Sequence, residues 1–255
     1  MKRTYVITGA GSGMGRATAI ELAADPNNHL LLVGRTLRSL EETLNLCAHS
    51  SQHHTAALDV REAKAWQTAI SESFDASTNL CGVFANAGVG GENHYGPDDQ
   101  WSEIISINLT GTYTTIMELL PWLQKSQDIF KHIVITSSCL ARFAVPNYTA
   151  YCTAKTGLLG LTRSMALQFA ANRILVNAIC PGWVETEMAK GSIQRIADRT
   201  GQHYEQAFQE QMGYVPLQRI SQPAEIARMV KFLFSNEQTS MTGQGIDINN
   251  GSVML

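Results

Sequence analysis

Residues 8–15 read TGAGSGMG, set between the apolar run YVI and the helix-like RATAIELAA. This junction of strand, glycine-rich turn and helix start constrains the fold more than any other stretch. Glycine accepts unusual φ angles and lets a ligand approach the backbone, while a helix N-terminus offers unpaired N–H groups to an anion. A phosphate site is the reading this supports, and a purely structural turn is the competing one. The spacing Gly9, Gly13, Gly15, with Gly11 in addition, departs from GxGxxG, and the lysine–hydroxyl pair of a P-loop is absent.

The rest of the chain repeats the alternation. Apolar runs at 5–8, 29–34, 55–60, 80–86, 132–138, 173–179 and 245–249 are separated mostly by helix-like segments. Several lack the in–out alternation of a half-exposed sheet, as expected of strands buried on both faces. A single-domain α/β fold follows: a Rossmann-like, doubly wound parallel sheet of about seven strands with helices on both faces. No repeat or linker divides residues 1–255, of which 1–90 form mainly the cofactor-binding half. A polar, helix-prone insertion at 188–214 follows a strand's C-terminal end, where it is placed to cover a ligand.

Composition narrows the function. With 44% hydrophobic and 16% charged residues and a net charge of -3, neither disorder nor phosphate-backbone binding is expected. No run approaches the ~20 apolar residues of a membrane span, and the N-terminus lacks a signal-peptide pattern. The expectation is a cytoplasmic protein with no membrane or nucleic-acid partner. The five cysteines, at 47, 81, 139, 152 and 180, are odd in number and lack CxxC spacing, so free thiols are expected. His53 and His54 read as surface or strand-edge residues, and no metal site is expected.

Arg35 ends the second apolar run, 20 residues after Gly15 and with no acid beside it. In a dinucleotide fold that position carries an acid for ribose hydroxyls, or an Arg nearby for a 2′-phosphate. NADP(H) is therefore favoured, with NAD(H) possible; the competing reading is a solvated Arg35. Arg38 either assists the phosphate or faces water.

The segment YCTAK places Tyr151 and Lys155 four residues apart, on one helix face. A nearby cation favours a phenolate, and lowering its pKa by roughly 3 units needs about 4 kcal/mol. Lys155 beside a positively charged nicotinamide would supply it. Ser138 ends a strand thirteen residues before Tyr151, at the sheet edge where α/β ligand sites lie.

Together these motifs resemble those of the short-chain dehydrogenase/reductase family. Its TGxxxGxG falls on Thr8, Gly9, Gly13, Met14 and Gly15, its NAG on Asn86, Ala87 and Gly88, and its PG on Pro181 and Gly182. Its catalytic set falls on Asn108, Ser138, Tyr151 and Lys155. The resemblance implies that Tyr151 is general acid in ketone reduction and base in alcohol oxidation. Lys155 would bind the nicotinamide ribose and lower the phenol pKa, Ser138 would orient the substrate oxygen, and Asn108 would hold a relay water. Asp59 and Val60 would contact adenine, Asn86 and Gly88 would line the cleft, and Val184 and Thr186 would grip the carboxamide. Departures are ANAG for NNAG, NNG for the common DGG, and Ser12 where many NADP-preferring relatives carry a basic residue.

For substrate lining, the expected residues are His94, Tyr95, Phe143, Trp183 and Met188, each also readable as plain packing. Arg142 reads as an exposed residue or an attractor of anionic substrates. The segment from CPGWVETEMA onward is similar to β-ketoacyl and polyketide ketoreductases of the family, so a β-ketoacyl-type ketone is favoured. The alternatives are an NAD-dependent alcohol or dihydrodiol dehydrogenase and a non-catalytic NADP(H) sensor. The family also implies a homotetramer or homodimer, paired through helices expected at 98–122 and 150–171.

Overall fold

The computed structural model describes residues 2–254. Seven strands, β1 (Arg3–Thr8), β2 (Asn28–Gly34), β3 (His54–Ala57), β4 (Leu80–Ala85), β5 (Lys131–Thr136), β6 (Ile174–Pro181) and β7 (Gly245–Ile248), form one sheet. Their order is β3-β2-β1-β4-β5-β6-β7. Every pairing is parallel. The absence of alternation in the apolar runs is explained by where successive residues go. Val6, Leu31 and Val33 feed a core under α3 (Ala63–Ser73), α5 (Gly111–Lys125) and α6 (Thr149–Phe169). Tyr5, Ile7, Leu30 and Leu32 feed the opposite core under α1 (Gly13–Ala23), α2 (Leu37–Leu46) and α9 (Pro223–Leu233). Both faces are therefore dry, and each fully buried Leu or Ile side chain contributes about 1.5–3 kcal/mol.

Several element boundaries differ from expectation. The third strand stops at Ala57, because Leu58 and Val60 turn away to pack in the first core while Asp59 points to solvent-accessible space. The first long helix is α4 (Trp101–Ile105) joined to α5 by a π turn at Ser106–Thr110, so it runs to Lys125 rather than residue 122. The second is α6, ending at Phe169. The 188–214 insertion is two helices, α7 (Glu187–Thr200) and α8 (Tyr204–Gly213). They share a small core of Ile193, Ala197 and Ala207 against Trp183, Tyr204 and Phe208.

All five cysteines are free. His53 is buried, its ring bonded to the Ala48 carbonyl, and not a surface residue. Among the described residues no cluster of His, Cys, Asp and Glu is suited to a metal, and no helix is long and apolar enough to cross a membrane.

Candidate active site

The strand order reverses between β1 and β4, and in such sheets ligands sit in the crevice beyond the strands' C-terminal ends there. A cavity of about 230 Å³ opens at this point, lined by Gly9, Gly11, Ser12, Arg35, Ser39, Asp59, Val60, Ala87 and Gly88 among others. Gly13 has φ +51°, and a Cβ there would lie 3.0 Å from Thr186 Cγ2, which brings the β6–α7 turn against the glycine loop. Gly15 lies so close to the Gly9 carbonyl that no side chain fits. Met14 contributes backbone only, since its side chain joins the core under α1.

Partly buried hydrogen bonds fix the cavity floor. Thr8 Oγ1 accepts from the Asn86 and Ala87 amides, both at 2.9 Å. Asn86 Nδ2 donates to the Thr8 carbonyl at 3.0 Å, and Asn86 Oδ1 accepts from Thr136 Oγ1 at 3.1 Å. Asn86 thereby joins β1, β4 and β5, and its side chain is taken up by the protein.

At the outer end Arg35 is exposed and makes no ion pair among the described residues. Arg38 is held by Glu42 at 3.2 Å and is 88% exposed, so the water-facing alternative describes it. Arg16, which sequence reasoning overlooked, supports the glycine turn: Nη2 donates to the Gly11 carbonyl at 2.6 Å and Nε to Thr43 Oγ1 at 3.0 Å. Asp59 is clasped by Arg61 at 2.6 and 2.9 Å, and this hydrogen bonding holds its carboxyl below the usual range. A glycine-lined floor, a helix N-terminus and an unpaired guanidinium at the outer end fit a nicotinamide dinucleotide.

Further along the cleft, Ser138 lies two residues past the end of β5 rather than ending it, where it caps the next turn, and the first turn of α6 delivers Tyr151. Ser138 Oγ accepts from Leu140 N at 3.1 Å, capping the short turn Cys139–Ala141. Lys155 Nζ lies 5.5 Å from the centre of the Tyr151 ring and donates to the Thr136 carbonyl at 2.8 Å. Ser137 Oγ donates to the Lys155 carbonyl at 2.8 Å, a second tie between β5 and α6. Burial lowers the Lys155 pKa to about 8. Burial also pushes the Tyr151 phenol up to about 12, with the neighbouring Ser138 hydroxyl countering part of the rise. In the protein alone desolvation of the phenolate dominates, whereas the lowering expected from Lys155 belongs to the state with a charged nicotinamide beside it. A protonated phenol at neutral pH is poised to donate.

Asn108 sits fully buried in the π turn, with Oδ1 accepting from Val89 N and Nδ2 donating to Val89 O, each at 2.9 Å. Its side chain clamps the loop after β4. Its main-chain carbonyl accepts from Thr112 Oγ1 at 2.8 Å. Pro181 ends β6, and Gly182 N donates to the Ile248 carbonyl at 3.1 Å. Val184 is buried and bridges Ser221, and Thr186 caps α7.

The rim is less uniform. Met188 packs over Gly90, and Trp183 packs beneath α7 and α8. Phe143 is 43% exposed. His94 pairs with Glu92 at 3.6 Å, and Tyr95 stands wholly in solvent. His94 and Tyr95 border an open groove with Trp101 and Asn147, apart from the cavity at the glycine turn. Arg142 is neither exposed nor free: it donates to the Gly245 carbonyl at 2.9 Å and pairs with Asp247 at 3.4 Å. Thr136, Ser137 and Asn93 hold the site but have no motif spacing to reveal them, whereas Thr8 lies inside the glycine motif.

A protein-family model described as enoyl-(acyl carrier protein) reductase matches residues 9–252. The chain is 32% identical to the oxidoreductase YxbG of Bacillus subtilis (strain 168), over 98% of this chain and 90% of that one. Among solved structures it is similar to an actinorhodin polyketide ketoreductase variant with NADPH, at TM-score 0.89 and 26% identity over 98% and 97% of the two chains. It is equally similar to carveol dehydrogenase from Mycobacterium avium in complex with NAD, at TM-score 0.89 and 29% identity over 98% and 97%.

Proposed function

Because the chain belongs to the short-chain dehydrogenase/reductase family of oxidoreductases, we propose that it reversibly reduces a ketone to a secondary alcohol, using NADP(H) and favouring β-ketoacyl-type substrates. The observation that carries this reading is the convergence of Ser138, Tyr151 and Lys155 at one end of a cleft whose other end is a glycine turn with Arg35 beside it.

When bound, the nicotinamide supplies a hydride to the carbonyl carbon. Ser138 orients the carbonyl oxygen, and Tyr151 Oη gives that oxygen its proton, completing the alcohol. Burial keeps the phenol protonated until the transition state needs the proton. Lys155, charged below about pH 8, holds the nicotinamide ribose and favours the phenolate left behind. Asn108 keeps the loop at Val89 in register, and Arg35 answers a 2′-phosphate. The free thiols suit a reducing cytoplasm, and the exposed Tyr113 and Leu167 on α5 and α6 suit a homodimer or homotetramer.

The test is the initial rate with NADPH and, separately, NADH on a short β-ketoacyl thioester and a panel of cyclic ketones. The expected outcome is turnover at least tenfold faster with NADPH. A preference for NADH overturns the Arg35 assignment and favours the second reading, an NAD-dependent alcohol dehydrogenase, which the likeness to carveol dehydrogenase supports.

A further inference from the structure

α6 begins without help from its own sequence: its N-cap, Tyr148, makes no side-chain capping bond. The missing acceptor comes from the loop after β4. Asn93 Oδ1 accepts from Ala150 N at 2.8 Å and from Thr149 Oγ1 at 3.0 Å, one residue before Tyr151. Asn93 N donates to the Asn147 carbonyl at 2.7 Å, where Asn147 holds φ +65°. On its other side Asn93 Nδ2 donates to Asp99 Oδ1 at 3.2 Å, and that same oxygen accepts from Trp101 N at 3.0 Å, at the start of α4. Asn93 is 8% exposed, and its bond to Ala150 N is buried, while those to Thr149 and Asp99 are partly so.

One loop residue thus ties together the starts of the two helical segments that carry the candidate catalytic groups: α4, which runs into the π turn with Asn108, and α6, with Tyr151 and Lys155. The first N–H groups of a helix have no partner within it, and an oxygen acceptor there fixes both the start and the direction of the first turn. Tyr151 lies in that turn. Placement errors near 1 Å cost enzymes about a hundredfold in rate.

We propose that Asn93 is a positioning residue for Tyr151, capping α6 from across the cleft and setting the phenol's place against Ser138. The proposal rests on the ketone-reductase reading for its kinetic consequence, although the cap itself has an independent readout.

The experiment compares wild type, Asn93→Ala, Asn93→Asp and the exchange Asn93→Asp with Asp99→Asn in the full chain. Asn93→Ala removes the acceptor. Asn93→Asp keeps it but sets two carboxylates against each other, and the exchange relieves that repulsion, the amide at position 99 donating through Nδ2 to position 93 while its Oδ1 keeps the bond from Trp101 N. The expected result is that Asn93→Ala and Asn93→Asp lower kcat tenfold or more while KM and NADPH affinity stay within about threefold. The exchange should return kcat to within about threefold of wild type. Amide exchange at Ala150, read by NMR or mass spectrometry, should accelerate at least tenfold in Asn93→Ala and recover in the exchange variant. Unchanged exchange at Ala150, kcat within twofold of wild type in Asn93→Ala, or no rescue by the exchange overturns the proposal. A wild type that reduces no ketone with either cofactor instead overturns the functional reading, and Ala150 exchange then still decides whether Asn93 is the cap.

Discussion

Around the ends of β1, β4 and β5 the polar side chains are held within the protein: Thr8 and Lys155 are buried and bonded to backbone, and the half-buried Asn86 bonds the Thr8 carbonyl and the buried Thr136 hydroxyl. α7 is tied to the loop after β4 by an ion pair open to water, Arg199 to Glu92 at 2.7 Å, and α7 and α8 share only a small core. A buried group that loses its partner cannot turn to solvent, so the floor has one arrangement. Exposed pairs are individually weak and replaceable, so α7 and α8 are free to differ and to move. The contrast separates a tightly held floor from a loosely held helix pair.

The largest expected break on the floor is Lys155→Met. Its pKa in the fold, about 8, lies below the ordinary 10.5, so the folded state disfavours the charge. Unfolding then gains a proton between about pH 8 and 10.5, and the cost of burial, about 3 kcal/mol, is fully present below pH 8 and fades as pH rises through that window. Removing the ammonium also forfeits the bond to Thr136, about 1 kcal/mol. The variant should lose turnover by at least about a hundredfold yet be more stable at pH 7 by about 2 kcal/mol, with the advantage gone near pH 10.5. Urea unfolding across pH checks this, and lower stability at pH 7 would contradict it. In the wild type, kcat/KM for reduction should fall above about pH 8 as Lys155 loses its charge.

Thr8→Val tests the floor without touching a reacting group. The isosteric change leaves the amides of Asn86 and Ala87 without their acceptor, at a cost of about 2–4 kcal/mol. Chemical denaturation should show the loss directly, and a change under 1 kcal/mol would mean that the floor is not fixed in this way.

Arg199→Ala is the matching probe of the helix pair α7 and α8. Its side chain is 56% exposed, so the pair with Glu92 should contribute under about 1 kcal/mol, and less in high salt. A shift as large as that of Thr8→Val would erase the distinction between the two regions.

The same contrast explains what was legible in the sequence. The strands were readable because two-sided burial forces continuous apolar runs, and the glycine turn because Gly13 and Gly15 allow no substitute there. Ser138, Tyr151 and Lys155 meet because one strand end and one helix start fix them. The π turn left no trace, since its residues suit an ordinary helix and the extra residue per turn arises from tertiary packing. Asn93, Thr136 and Ser137 act through hydrogen bonds to residues distant in sequence, which no local period encodes. The rim misled for the same reason: Arg142 lies near Ser138 in sequence, but its partners on β7 stand more than a hundred residues away.

The most direct measurement is ketone-dependent NADPH oxidation by Tyr151→Phe beside wild type, with NADPH binding followed by fluorescence. If the buried phenol is the proton donor, kcat falls about a thousandfold while the NADPH Kd stays within about threefold. A variant that keeps wild-type turnover would contradict the assignment of Tyr151 and with it the proposed chemistry of the cleft.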